Sequence, residues 1–181
     1  MLGVAIRIAE RIGIHSETEL AKCTIFEAEM RRRLWWSLVL FDTRIGEMSG
    51  YKNANLAPTW DCRIPINVND SDLRSEMKKQ PEVLGKSTEA LFAVVHSELG
   101  EFVRNTIFYL DFTAPALKPI AKDVQKGSTP AGSELAALEK MIEDKYLKSC
   151  DPENPLHFMT IWTARAFLAK YRLLEHHSKY S

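Results

Sequence analysis

The chain has 181 residues, enough for one domain of ordinary size, and 45% of them are apolar, enough for a core. Its 24 basic and 24 acidic residues cancel, which excludes a molecule-wide cationic surface of the kind that binds phosphate backbones. Three scattered cysteines, Cys23, Cys62 and Cys150, form no C-x-x-C pair, which argues against a disulfide scaffold and fits a reducing compartment.

The opening "MLGVAIRIAERIG" carries Arg7, Glu10 and Arg11, so it is too charged and too short for a signal peptide or a membrane span, and a soluble, intracellular protein is expected. Leu2 to Ile12 reads as a helix with Val4, Ile8, Ile12, Ala5 and Ala9 on one stripe, ended by Gly13. It starts without a cap, as though preceding structure were missing.

A second helix opens at Thr24, which has capping-box spacing to Glu27. Phe26, Met30, Leu34, Leu38, Phe41, Ile45 and Met48 recur every three or four residues and predict its buried face, which Trp35 and Leu40 widen, with an end near Gly50. Inside it, Arg31, Arg32 and Arg33 fan out by about 100° each and cannot share one face. Glu27 and Glu29 stand four residues before Arg31 and Arg33, in the favourable acid-then-base order, whereas Arg32 has no such partner. A solvated or partner-facing helix side is the first reading of the tract. DNA contact, or an arginine turned inward toward Asp42 or Asp61, are the others. Of Trp35 and Trp36, one is expected in the core and the other at its margin with its N–H on an acceptor.

Tyr51 to Asn69 has prolines and asparagines but no helical period, and its apolar residues predict a long loop packed across the helices. Asp70 or Ser71 is placed to cap a short helix through Met77, and Ser87 or Thr88 a long one with Leu91, Val94, Val95, Leu99, Phe102, Val103, Ile107 and Leu110 buried. Residues 115–132, ending in "KGSTPAGS", read as a flexible internal linker. Ser133 opens a helix with Leu135, Leu138, Met141, Ile142 and Tyr146 inside. Asn154 and Pro155 start the last one, with Phe158, Ile161, Trp162, Phe167, Leu168 and Leu173 along it. The expected fold is all-α, an irregular bundle of about six helices with one long packed loop at residues 51–69, in a single domain over 1–181.

"FEAEMRRRLWWSLVLFDTRIGEMSGY" followed by "DCRIPINVNDSDL" resembles the fungal-specific transcription factor domain, the middle homology region of fungal zinc-cluster regulators. "AIRIAERIGIH" is similar to its helix ending in Gly-x-His, and "KYLKSCDPENPLHFMTIWTARAFLAKYRL" to a segment further along such proteins. The resemblance implies a helical regulatory domain in the nucleus. It also implies a domain cut at both ends and without the N-terminal six-cysteine cluster, since three dispersed cysteines cannot form one. Gly50, Tyr51 and Lys52 stand where the family usually has Gly-Arg-Pro.

No H-E-x-x-H, G-x-S-x-G, P-loop or dinucleotide fingerprint occurs, so no metal ligand set and no cofactor is expected. His176 and His177 read as a solvated helix end, His15 as packing or capping beyond Gly13, and Asp70 and Asp72 as capping residues. Two functions remain open. One is a regulatory or interaction module that does not read DNA itself, encloses a small hydrophobic effector, and pairs with a second copy or with a full-length regulator. The other is a repurposed enzyme of secondary metabolism, a cofactor-independent cyclase, pericyclase, isomerase or dehydratase. Trp35, Trp36, Trp60, Trp162 and Phe41 are the candidate pocket residues for either. His157, Asp42 and Arg33 are the weak catalytic candidates for the enzyme.

Overall fold

A computed structural model of the chain describes residues 1–49, 60–74, 76–77, 79–81, 88–105 and 133–180. The described residues are all-α and contain six helices: α1 Leu2–Arg11, α2 Glu17–Leu20, α3 Ile25–Ser49, α4 Leu91–Asn105, α5 Ser133–Lys145 and α6 Pro155–Tyr180. Residues 50–59, with the first half of the expected loop, Ile107 and Leu110, and the expected linker at 115–132 lie outside them.

α1 ends where Gly13 was expected to end it. Gly13 has φ of 77°, its N–H bonds the carbonyl of Glu10, and the N–H of Ile14 reaches the carbonyl of Ala9 at 3.2 Å. This is the paired closure of a helix on a left-handed residue. The buried face of α1 is Ile6 and Ala9, while Val4, Ile8 and Ile12 are exposed. Of the expected stripe, Ala9 is buried and Ala5 half-buried, and the three large side chains turn away from the core. α2 was not anticipated; its four residues carry no period long enough to read.

α3 starts on the predicted capping box: the N–H of Glu27 donates to Thr24 Oγ1, and the N–H of Thr24 to Glu27 Oε2, each at 3.2 Å. At roughly 1.5 Å per residue its length approaches 40 Å, and it crosses the whole fold. Its buried side agrees with the expected one at Trp35 and is otherwise turned from it. Ala28, Glu29, Trp35, Trp36, Val39 and Asp42 face inward, whereas Leu34, Phe41, Ile45 and Met48 are exposed. The two indoles carry more surface than any aliphatic pair, and they draw the helix round even though Glu29 and Asp42 go in with them.

Residues 60–69 run without regular structure across α3, as the loop reading required, and bury Trp60, Cys62 and Val68. The segment will be called the strap. After it, the expected helix through Met77 is only a 3-10 turn at Asp70–Asp72 among the described residues.

Two cores result. One joins α1, α2, α3 and the strap around Ile6, Ile14, Leu20, Trp35, Trp36 and Trp60. The other joins α4, α5 and α6 around Leu91, Val95, Leu99, Ile142, Ala164 and Tyr171. Ile64 of the strap packs against both. α4 was read correctly, with Thr88 Oγ1 accepting from the N–H of Ala90 at 3.2 Å. So was α5, where Leu135, Leu138, Ile142 and the following Tyr146 are buried. α6 begins at the predicted cap, with Leu156 N–H on Asn154 Oδ1 at 2.9 Å. It buries Ile161, Ala164, Leu168 and Tyr171, and leaves the expected Phe158, Trp162 and Leu173 exposed.

Candidate functional site

α3, α4 and α6 enclose a groove of about 390 Å³, within the range of small-molecule sites. α3 supplies Trp36, Leu40 and Phe41, α4 supplies Phe92, Ala93, His96, Gly100 and Val103, and α6 supplies Phe167 and Tyr171. Each helix contributes because its spacing brings rings to one side. Phe92 and His96 stack at 4.1 Å, and Phe167 and Tyr171 meet at 5.9 Å, both pairs four residues apart. His96 also meets Phe167 edge-on at 5.5 Å. Its imidazole has no hydrogen bond at Nε2, and burial pushes its pKa down to about 4. The ring is therefore neutral near pH 7.

Charged side chains at the groove are paired. Arg33 meets Asp70 at 2.5 Å and Glu29 at 3.5 Å. Glu47 takes Arg44 at 3.4 Å and Lys170 at 2.5 Å. The wall between these ends is mostly ring and aliphatic carbon. Such a wall can enclose and orient an apolar molecule, with the neutral His96 imidazole as a polar group set among the rings.

A polar clamp holds the strap to α2 and α3. Arg32 grips Glu17 in bidentate fashion, Nε at 2.8 Å and Nη2 at 2.7 Å. The same carboxylate accepts the Arg63 main-chain N–H at 2.9 Å and its side chain at 2.8 Å. Burial alone would raise the pKa of Glu17, but the hydrogen bonds from Arg32 and Arg63 outweigh it and hold the carboxyl at about 2. Glu29 is fully buried; it accepts the Ile66 N–H at 2.9 Å, and its burial moves its pKa up. Burial also pushes the Cys62 thiol up to about 12, so it stays protonated.

The candidate residues fall in different places. Trp36, Phe41 and Arg33 line the groove. Trp35 and Trp60 do not: they sit in the core, edge to face at 5.7 Å, and Trp35 also meets His15 at 5.6 Å. Trp162 is 59% exposed on the outer face of α6, beside Phe158. Asp42 is buried in α3 away from the groove lining. His157 is remote as well, its Nδ1 accepting the Asp151 N–H at 3.0 Å in the turn before α6. Both tryptophans of α3 are buried, and Trp36 finds its acceptor in the Arg63 carbonyl at 2.9 Å. Arg32, which has no acid four residues before it, is doubly held by Glu17 of α2 and lies 3.6 Å from Glu29 on its own helix. The acids that turn the arginines inward are Glu17, Glu29 and Asp70 rather than Asp42 or Asp61. Among the described residues no three His, Cys, Asp or Glu side chains gather to hold a metal, and no helix is long and apolar enough to cross a membrane.

Residues 1–112 match the fungal specific transcription factor domain. The chain belongs to this family. Its sequence is 56% identical over its full length to the transcriptional regulator AacuB of Aspergillus aculeatus, covering 24% of that protein. It is 50% identical over 99% of its length to the transcriptional regulator nsrM of Aspergillus novofumigatus, covering 23%. It is 32% identical over 98% of its length to the aurofusarin cluster transcription factor aurR2 of Gibberella zeae, covering 26%. The chain thus spans about a quarter of the curated relatives it matches. No solved structure matches it significantly. In this transcription-factor-type regulatory domain, the groove residues that sequence reading passed over are Phe92, His96 and Tyr171. Their signal was the two aromatic pairs at i,i+4 on separate helices. What joins the pairs is the packing of α4 between α3 and α6, which no local spacing encodes.

Proposed function

We propose that the domain is the effector-responsive part of a nuclear regulator of a biosynthetic gene cluster. It holds a small apolar molecule in the α3–α4–α6 groove and does not contact DNA itself. The groove is the observation that carries this reading: a ring-lined space with paired charges suits binding rather than chemistry. The likeness to the aurofusarin cluster transcription factor supports the link to a cluster. The arginine tract supports the absence of DNA contact, because Arg32 and Arg33 give their guanidinium groups to acids. Exposed Phe158, Met159 and Trp162 on α6, with Phe41, Ile45 and Met48 on α3, support pairing with a second copy or with a full-length regulator.

The test is made in the fungal host. Deletion of the gene changes transcripts of one biosynthetic cluster, and Ala93→Phe, which fills the groove, reproduces the loss of response with the protein still folded. A deletion that leaves every such cluster unchanged overturns the regulatory assignment. An Ala93→Phe strain that responds like the parent overturns the effector. Sequence-selective gel shift by this chain alone overturns the absence of DNA contact.

A further inference from the structure

We infer that the groove selects an uncharged, planar aromatic molecule carrying a hydroxyl or carbonyl oxygen that hydrogen-bonds to the imidazole of His96. The inference deepens the effector reading above and rests on it.

Shape gives the first part. Rings from all three helices line the groove, Trp36 and Phe41 on one side, Phe92 on the second and Phe167 and Tyr171 on the third. Offset and edge-on contacts between rings favour a flat aromatic guest over a flexible chain of equal surface. Charge gives the second. Arg33, Arg44 and Glu47 already have counter-ions. Arg33 Nη2 lacks a hydrogen bond, but the guanidinium charge is already balanced by Asp70 and Glu29. A carboxylate or ammonium entering the groove therefore loses water and adds a net charge with no counter-ion of its own, which is unfavourable.

His96 gives the third. It lines the groove, and Nε2 is buried without a hydrogen-bond partner. Ring contacts with Phe92 and Phe167 set the imidazole plane. A half-turn about Cβ–Cγ keeps that plane while exchanging the ring's nitrogens and carbons. A neutral imidazole both donates and accepts, so either a hydroxyl or a carbonyl satisfies it. A site that leaves a buried polar group unpaired discriminates against guests that cannot pair it.

Calorimetry with four naphthalenes of similar size tests the class: 2-naphthol, 2-methylnaphthalene, 2-naphthoate and 2-naphthylmethylammonium. 2-Naphthol is expected to bind about tenfold tighter than 2-methylnaphthalene, as befits one recovered hydrogen bond, and both charged compounds to bind more weakly than either. His96→Phe keeps the ring packing and removes the nitrogens; it should bring 2-naphthol down to the 2-methylnaphthalene level and leave the latter unchanged. The unaltered protein supplies a second reading independent of folding. The imidazole nitrogen-15 resonances of His96 should shift on adding 2-naphthol and stay in place with 2-methylnaphthalene. Equal affinity for these two, tighter binding of a charged compound, or unmoved His96 resonances overturns the ligand class while an apolar effector stands. Failure of all four to bind overturns the class and the effector reading together.

Discussion

The buried carboxylate of Glu29 on α3 holds the main chain of the strap by accepting the N–H of Ile66 at 2.9 Å. The same group lies 3.6 Å from Arg32 Nη1 and 3.5 Å from Arg33 Nε. One side chain therefore fixes the strap to the helix and neutralises the arginines on the intervening turn.

Removing it leaves charges and an amide without partners. Glu29→Ala is expected to destabilise the fold by about 3–5 kcal/mol, the range for breaking a buried pair from one side. Glu29→Gln keeps an acceptor for Ile66 and should cost less. Urea denaturation of the two variants decides, and equal losses would mean that the Ile66 bond contributes nothing.

Glu17 makes the domain acid-sensitive in a defined window. Its folded pKa of about 2 lies below the ordinary 4.5. A depressed carboxyl stabilises the fold fully above the unfolded value and loses that contribution as pH falls through the folded one. The contribution is therefore complete above pH 4.5 and disappears between 4.5 and 2. Glu17→Gln should lower stability at pH 7 by about 1.5–3 kcal/mol, as expected for hydrogen bonds to a charged group, with a smaller penalty at pH 3. Denaturation curves at the two pH values, variant against parent, measure it; a constant difference would refute the assignment.

Gly13→Ala is expected to cost about 1–2 kcal/mol, because an L side chain is strained in the left-handed region. Its Cβ would also come within 2.8 Å of Glu19 Cγ, so the flexible Glu19 side chain has to move. A melting temperature lower by a few degrees is the expected reading.

Trp60→Ala should cost about 3–5 kcal/mol and release the strap to proteolysis. The Arg104 guanidinium lies 3.8 Å over the Trp60 ring and bonds its carbonyl through Nη2 at 2.9 Å. Trp60→Ala and Arg104→Ala should therefore be less than additive when combined, and a double-mutant cycle in urea tests the coupling. Strict additivity would place the two residues in separate interactions.

Trp162→Glu changes an exposed ring and should leave the melting temperature nearly unchanged. If the outer face of α6 mediates association, the variant sediments as a monomer where the parent does not. An unaltered sedimentation profile would put any interface elsewhere.

Helix positions were legible where the signal is local. The Thr24–Glu27 box, Gly13 and the Asn154–Pro155 start each satisfy end groups within a few residues. Which face turns inward was less legible. On α1, α3 and α6 the apolar spacing points to side chains such as Ile8, Phe41 and Trp162 that remain exposed. Periodicity reports how apolar a face is, and the packing partner decides which apolar face is covered. α4 and α5 have one such face each and were read correctly. The clamp was hidden for another reason: Glu17 and Arg63 are 46 residues apart, and Glu17 belongs to a helix too short to show a pattern.

Trp36 presents its indole carbons to the groove, and its nitrogen is tied to the strap carbonyl of Arg63. A guest pressing on that ring would pull on a main-chain atom of the strap. Groove wall and strap are thus joined through a single side chain, and any load on the ring is passed to the path of the main chain.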